Sequence, residues 1–238
     1  VTSLDDSSAT IAGALRSVSD RIDRACATAG RARGSVRLVA VSKFHDAAAI
    51  RAAYDAGHRA FGENYVQELR EKADALLSCE GIEWHMIGHL QRNKARDVAA
   101  LAAMVHTVDS TRLASALDRH CAELGRVLPV LIQVNVGGEE QKSGCAPSEV
   151  RALLESIASM KNVAVRGLMT IPPDTADAAD SQRFFDALSN LRDELGGPAA
   201  LPELSMGMTH DLEFAIAAGA TIVRVGTAIF GARPAAPR

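Results

Sequence analysis

Apolar residues in the first part of the chain recur at helical spacing. Ile11, Leu15, Val18, Ile22 and Ala25 share one stripe of an amphipathic helix over residues 11–29, and Gly30 and Gly34 bracket its end. The ten residues before it, VTSLDDSSAT, are polar and read as frayed. The period then changes, and short β-rich runs alternate with Ala/Leu-rich stretches. The strand signals are VRLVAVS (36–42), HRAFG (58–62), IEWHMIG (82–88), MVHTVD (104–109), VLPVLIQVNV (127–136), VAVRGLMTI (163–171), PELSM (202–206) and TIVRVG (221–226). Helical patterns lie near 47–56, 65–78, 91–102, 111–124, 147–160, 177–195 and 210–218. A spacing of about 20–35 residues per pair suits a βα unit. The last strand is followed only by TAIFGARPAAPR, which has room for one helical turn and a tail over 234–238. The stretch 172–180, PPDTADAAD, reads as an exposed loop.

Strict β/α alternation predicts a parallel sheet, either open and doubly wound or closed into a barrel. Eight units with no linker or shift in composition favour an α/β chain folded as one (β/α)₈ TIM barrel domain over 1–238, with an extra N-terminal helix. The length of 238 residues suits such a barrel. With 47% apolar and 23% charged residues, a core forms without disulfides or a structural metal. A net charge of −3 gives no global basic field, so neither nucleic acid nor an anionic membrane is an expected partner. No apolar run approaches the ~18 residues of a membrane-spanning helix, and the N-terminus lacks the pattern of a signal peptide. The four cysteines (26, 79, 121 and 145) are scattered without a CxxC pair, as in proteins whose thiols stay reduced. A cytoplasmic enzyme or small-molecule binder is the expected class.

Barrel chemistry sits where the strands end. The first strand ends VAVSKFH. Lys43 stands at the expected mouth, where partial desolvation favours the neutral amine that an aldehyde requires for Schiff-base formation; the competing reading is an exposed lysine. In FGENYVQE, Asn64 either hydrogen-bonds a ligand or caps the following helix. In WHMIGHLQRNK, His85 and His89 are four apart, but Gly88 and the strand pattern argue against a helix spanning both, and no acidic or thiol partner completes a zinc site. No metal is expected, and His85 is placed on the pocket wall. The segment LSMGMTHD puts Met206, Gly207 and Thr209 at the mouth of a helix, and IVRVGTAIFG puts Gly226 and Thr227 just after a strand. Loops after the seventh and eighth strands of such barrels often bind phosphate, using close backbone approach, free N–H groups and helix N-termini. Arg224 lies inside an apolar strand and needs a partner: the phosphate, a ring nitrogen, or a structural anion. An imine-forming lysine beside a phosphate cradle serves pyridoxal phosphate and a class I aldolase equally, and pattern does not separate the two.

Eight blocks in order resemble the pyridoxal phosphate homeostasis protein family (the proline synthetase co-transcribed, YggS/PROSC-type group) over nearly all of residues 7–233. They are VAVSK at 39–43, FGENYVQE at 61–68, WHMIGHLQRNK at 84–94, HTVDS at 106–110, VNVGGEEQKSG at 134–144, RGLMTI at 166–171, LSMGMTHD at 204–211 and VRVGTAIFGAR at 223–233. The resemblance implies a monomeric barrel similar to the N-terminal domain of bacterial alanine racemases. It implies pyridoxal 5′-phosphate held as a Schiff base on Lys43, phosphate contacts from Thr209, Gly226 and Thr227, Arg224 near the cofactor and Asn64 beside the ring. Met206 and His85 complete the cofactor-binding set. The family buffers the cofactor and affects amino-acid and keto-acid balance, without an established turnover, and apoenzymes would be the recipients. No catalytic residue is therefore assigned. The chain departs from the family at Thr209, where serine is common, at Phe44-His45-Asp46, where a threonine and a nearby proline are common, and at Phe214, where the residue is usually small.

Three functions follow for test. A carrier holds the aldehyde reversibly, in keeping with a chain that has no second domain to complete a racemase site. A pyridoxal-phosphate-dependent racemase or lyase needs a base on each face of its substrate, with His85, Tyr65 and Lys43 as candidates, and an arginine at the ring nitrogen would weaken the electron sink. A class I aldolase binds no chromophore.

Overall fold

Strands that are buried on both faces lose the polar alternation of a half-exposed sheet. All four residues of β2 (Ala60–Glu63) and of β8 (Ile222–Val225) are buried. In the computed structural model, which describes residues 4–139, 141–173 and 177–232, these runs pair in parallel. The remaining strands are β1 (Arg37–Val41), β3 (Glu83–Met86), β4 (Ala102–Val108), β5 (Leu128–Gln133), β6 (Val163–Met169) and β7 (Glu203–Ser205). Each pairs with the next, and β8 pairs with β1, so the sheet closes as an eight-stranded barrel.

The helices are α1 (Leu4–Thr28), α2 (Ala47–Asp55), α3 (Val66–Ala75), α4 (Ala95–Leu101), α5 (Thr111–Glu123), α6 (Val150–Ile157), α7 (Gln182–Glu194), α8 (Gly197–Ala200), α9 (Leu212–Ala217) and α10 (Thr227–Phe230). Every expected strand and helix is present. The first helix begins at Leu4, inside the ten-residue polar stretch expected to fray and ahead of the expected start at residue 11, and residues 1–3 and the tail 234–238 lie outside the described residues. Three helices start with a 3₁₀ turn, at Arg92–Lys94, Pro147–Glu149 and Ala178–Ser181. The last of these occupies part of the expected loop 172–180, of which 174–176 lie outside the described residues. The short α8 had no periodic signal because four residues cannot show a period.

Apolar side chains fill two layers. Val39, Ala60, Met104, Leu131, Met169 and Ile222 form a separate cluster inside the barrel. The larger cluster lies between strands and helices, where Phe61, Ile50, Leu117 and Phe185 are fully buried. Side chains alternate along a strand, so the positions two beyond Met104 and Ile222 also face inward. These are His106 and Arg224, which puts polar groups above the apolar plug, toward the strand C-termini.

β6 and β7 approach closely at Gly167, where an added Cβ would lie 1.8 Å from the Glu203 carbonyl oxygen. Backbone cannot yield there as a flexible side chain would. Gly167→Ala is expected to lower the unfolding free energy by about 3 kcal/mol, read as a lower urea midpoint, whereas alanine at the half-buried but sterically open Gly13, inside α1, should leave the midpoint unchanged or slightly raised.

Candidate functional site

A cleft of about 580 Å³ opens at the C-terminal ends of β1 and β8, lined by Lys43, Arg224, Gly226, Thr227, Thr209 and Asp211, with Pro172, Pro173 and Ser181 closing one side. A larger depression of about 700 Å³ lies between α4 and α5 on the outside of the barrel. It gathers Arg92, Arg96, Arg112 and Arg119 but no strand end, so the chemistry of the fold points to the first cleft.

β1 delivers Lys43 by a turn. The N–H of His45 donates to the carbonyl of Ser42 at 3.0 Å, and Phe44 within that turn has φ 68°, a left-handed conformation that costs a non-glycine residue about 1 kcal/mol or more. Lys43 is half-buried at the turn's second position. The residues that depart from the family pattern each find work at the rim. Phe44 packs on Tyr65 with ring centroids 5.6 Å apart, His45 lies 5.2 Å from the Phe230 ring, and Asp46 caps α2 by accepting the Ala49 N–H at 2.9 Å.

The opposite wall comes from the ends of β7 and β8. Gly207 has φ 90°, and an added Cβ would meet Ala215 at 2.5 Å, so the turn into α9 requires glycine. Gly226 admits the close approach of β8 to β1, since a Cβ there would sit 3.2 Å from the Val41 carbonyl. The Thr227 hydroxyl donates to the Thr209 hydroxyl at 3.1 Å, placing two hydroxyl groups side by side. α1 holds this wall from outside, because Arg21 donates to the Thr209 carbonyl at 3.1 Å and pairs with Glu213 at 2.9 Å. The α9 and α10 helices are short, so little macrodipole accumulates along them. Backbone N–H groups, hydroxyls and Arg224 carry the electrostatics instead.

Arg224 is fully enclosed. It donates to the Ser205 hydroxyl at 2.8 Å and to the Thr170 carbonyl at 2.9 Å, two of the five donors a guanidinium owns. Burial pulls it down to about 10, partly offset by the Asp211 carboxylate, so it stays cationic at neutral pH. Asp211 itself accepts the Met208 N–H at 2.6 Å.

Behind Arg224 a polar chain crosses the barrel. His106 Nδ1 lies 2.9 Å from the Ser205 hydroxyl, and its Nε2 lies 2.8 Å from His85 Nδ1. In either neutral tautomer pattern His85 Nε2 is left over, buried with no partner among the described residues. Burial pushes His85 down to about 3 and His106 well below its usual value, so both rings are neutral.

The structure thus brings Lys43, Thr209, Arg224, Gly226 and Thr227 to one cleft. The other three expected residues are not in the lining of this cleft. His85 is fully buried and reaches Arg224 only through His106 and Ser205. Met206 is buried in the layer between strands and helices. Asn64 does not cap α3, whose cap position is Tyr65. Ser205 and His106 escaped the sequence reading, although counting inward positions by twos from Met104 and from the end of β7 would have found them.

The architecture is that of an alanine racemase N-terminal domain, and the sequence model of the family described as "Alanine racemase, N-terminal domain" matches residues 15–234. A protein of Aquifex aeolicus named pyridoxal phosphate homeostasis protein is 43% identical over 92% of this chain and 96% of its own length. A protein of the same name from Pseudomonas aeruginosa is 46% identical over 94% and 96%. Among solved structures, PipY of Synechococcus elongatus PCC7942, described with PLP bound, is 40% identical over 93% of this chain and all of that one, with a TM-score of 0.79. The chain belongs to the pyridoxal phosphate homeostasis protein family. No helix among the described residues is long and apolar enough to cross a membrane.

The two buried histidines make a prediction for acid stability. The unfolded chain takes up their protons near pH 6.5, while the folded chain holds His85 neutral down to about 3. The unfolded state therefore binds more protons in that window, and stability is lost as pH falls through it. His106→Gln is expected to be less stable at neutral pH but to lose stability less steeply between about pH 6.5 and 4, read from urea midpoints across pH. An unchanged slope would mean that these rings are not what the acid limb reports.

Proposed function

We propose that this chain binds pyridoxal 5′-phosphate in the cleft between β1 and β8, as a Schiff base on Lys43, and acts as a monomeric carrier and buffer of the cofactor that supplies apoenzymes. The observation that carries this reading is the arrangement of a half-buried amine at one end of the cleft, paired threonine hydroxyls at the other, and a buried cation whose hydrogen-bond partners within the chain are neutral. The cleft volume falls within the range for small-ligand sites, about 300–1,000 Å³. The PLP-bound title of the relative from Synechococcus elongatus and the names of the two relatives support the same ligand.

The parts divide the work. Thr209, Thr227 and the first N–H groups of α10, which have no carbonyl a turn behind them, suit a phosphate. Arg224 retains donors for an acceptor or anion of the ligand. With the cofactor bound, an unprotonated Lys43 amine would form a C=N bond to the aldehyde carbon, the carbonyl oxygen leaving as water with the two amine protons. The linkage is reversible because water can reverse each step, which is what release to an apoenzyme requires. Asn64 has an amide with no side-chain hydrogen bond among the described residues and lies on the adjacent β2 end, where it suits a ring substituent.

Mixing the chain with pyridoxal phosphate should give a Schiff-base absorbance band. Borohydride should fix the label on Lys43, as read by peptide mapping. Lys43→Ala should lose the band and retain weaker, phosphate-driven binding; a label on another lysine would overturn the assignment. Arg224→Ala should weaken cofactor binding by about 1–3 kcal/mol in equilibrium titration, and unchanged affinity with lowered stability would make Arg224 structural. Loaded protein should reactivate an apoenzyme while elution volume stays that of a monomer. Steady turnover of an amino acid that depends on Lys43 would favour the racemase or lyase reading instead.

A further inference from the structure

Directly behind the lysine lies a buried ion cluster that the cleft itself does not contain. Lys72 on α3 is 7% exposed and donates to the Ser42 carbonyl at 2.8 Å, to Glu63 at 2.8 Å and to Glu68 at 2.7 Å, using all three ammonium protons. Glu63 is fully buried at the end of β2 and also accepts the Ser42 hydroxyl at 2.6 Å. Glu68 also accepts the Phe44 N–H at 2.8 Å. The cluster therefore grips the backbone on both sides of Lys43: the carbonyl and hydroxyl of the residue before it, and the amide of the residue after it.

A buried lysine with two carboxylates is an expensive way to stabilise a barrel, since desolvation cancels most of the attraction and an apolar trio would pack as well. Its geometry serves a different end. Phe44 is held in the left-handed region, and the Glu68 carboxylate accepts its amide N–H. We propose that Lys72, acting with Glu63 and Glu68, is a positioning residue that sets the turn Ser42–His45 so that the Lys43 amine faces the cleft. This rests on the Lys43 reading given above. The cluster touches neither hydroxyl of the phosphate wall nor Arg224, so it acts on the covalent step and not on the anion cradle.

The experiment uses the full chain and two probes. Pyridoxal phosphate can react with Lys43; pyridoxine 5′-phosphate has the same phosphate and ring but no aldehyde. For Lys72→Met, the rate of appearance of the Schiff-base band and the affinity for pyridoxal phosphate are each expected to fall at least tenfold, while affinity for pyridoxine phosphate changes less than twofold. Equal losses for both probes, or no loss for either, would overturn the proposal. Should Lys72→Met fail to fold, Glu68→Gln keeps an acceptor for Phe44 N–H and removes one charge. It is expected to slow the band two- to fivefold with pyridoxine phosphate binding unaltered, and an unaltered rate would overturn the proposal in that background. If the parent chain gives no band reducible onto Lys43, the Lys43 reading itself fails and this inference falls with it, a result distinct from a normal parent and an unaffected variant.

Discussion

The site depends on the contact between the first and last strands. β1 and β8 pair over four residues, from Arg37↔Ile222 to Ala40↔Val225, with Val39 opposite Arg224. Parallel register puts both C-termini at the same end, so Lys43 and the Gly226–Thr227 turn emerge side by side although most of the chain separates them. Closure also removes the two open edges that an eight-stranded sheet would otherwise expose. Gly226 marks how tightly the two ends meet, since any side chain there would press on Val41.

Closure has an electrostatic consequence. An inward-facing arginine on a closed barrel meets water only through the cleft, and Arg224 is held by neutral oxygens, with the Asp211 carboxylate as an opposing charge. A buried cation with incomplete compensation is costly to the protein alone and favourable to an anionic or acceptor-bearing ligand, because the field is already oriented. The His85–His106–Ser205 chain keeps the guanidinium in place without adding charge, since both rings are neutral. Charged groups in those positions would repel Arg224 or quench it.

Much of this was legible in the chain. Period-2 and period-3.6 signals located all eight strands and the helices between them, because each unit buries one stripe or both faces. Lys43, Thr209, Arg224, Gly226 and Thr227 were legible because strand ends in a barrel share one face. Asn64, His85 and Met206 were assigned with the same set, yet the fold puts His85 under the cleft and Met206 behind it. Which side of a strand a residue takes depends on register, and β3–β4 shifts register between Trp84 and His85. Lys72 was illegible for another reason. It sits on an ordinary charged helix, and only the meeting of α3 with the ends of β1 and β2 reveals that its ammonium is buried.

That last residue shows how a barrel separates rigidity from reactivity. Strand pairing fixes positions up to Val41, but beyond it the backbone leaves the sheet and its N–H and C=O groups need new partners. At the β8 end those partners are supplied by the backbone of α10 itself. At the β1 end side chains join the backbone: Lys72 adds to the His45 N–H on the Ser42 carbonyl, and Glu68 accepts the Phe44 amide. On the Schiff-base reading proposed above, a lysine that bonds an aldehyde must present its amine from a fixed backbone. Anchoring Ser42 and Phe44 fixes the backbone from which Lys43 leaves the strand. The cost falls where it does not touch the ligand, in the desolvation of Glu63, whose carboxyl is pushed up by burial and keeps one oxygen without a partner among the described residues.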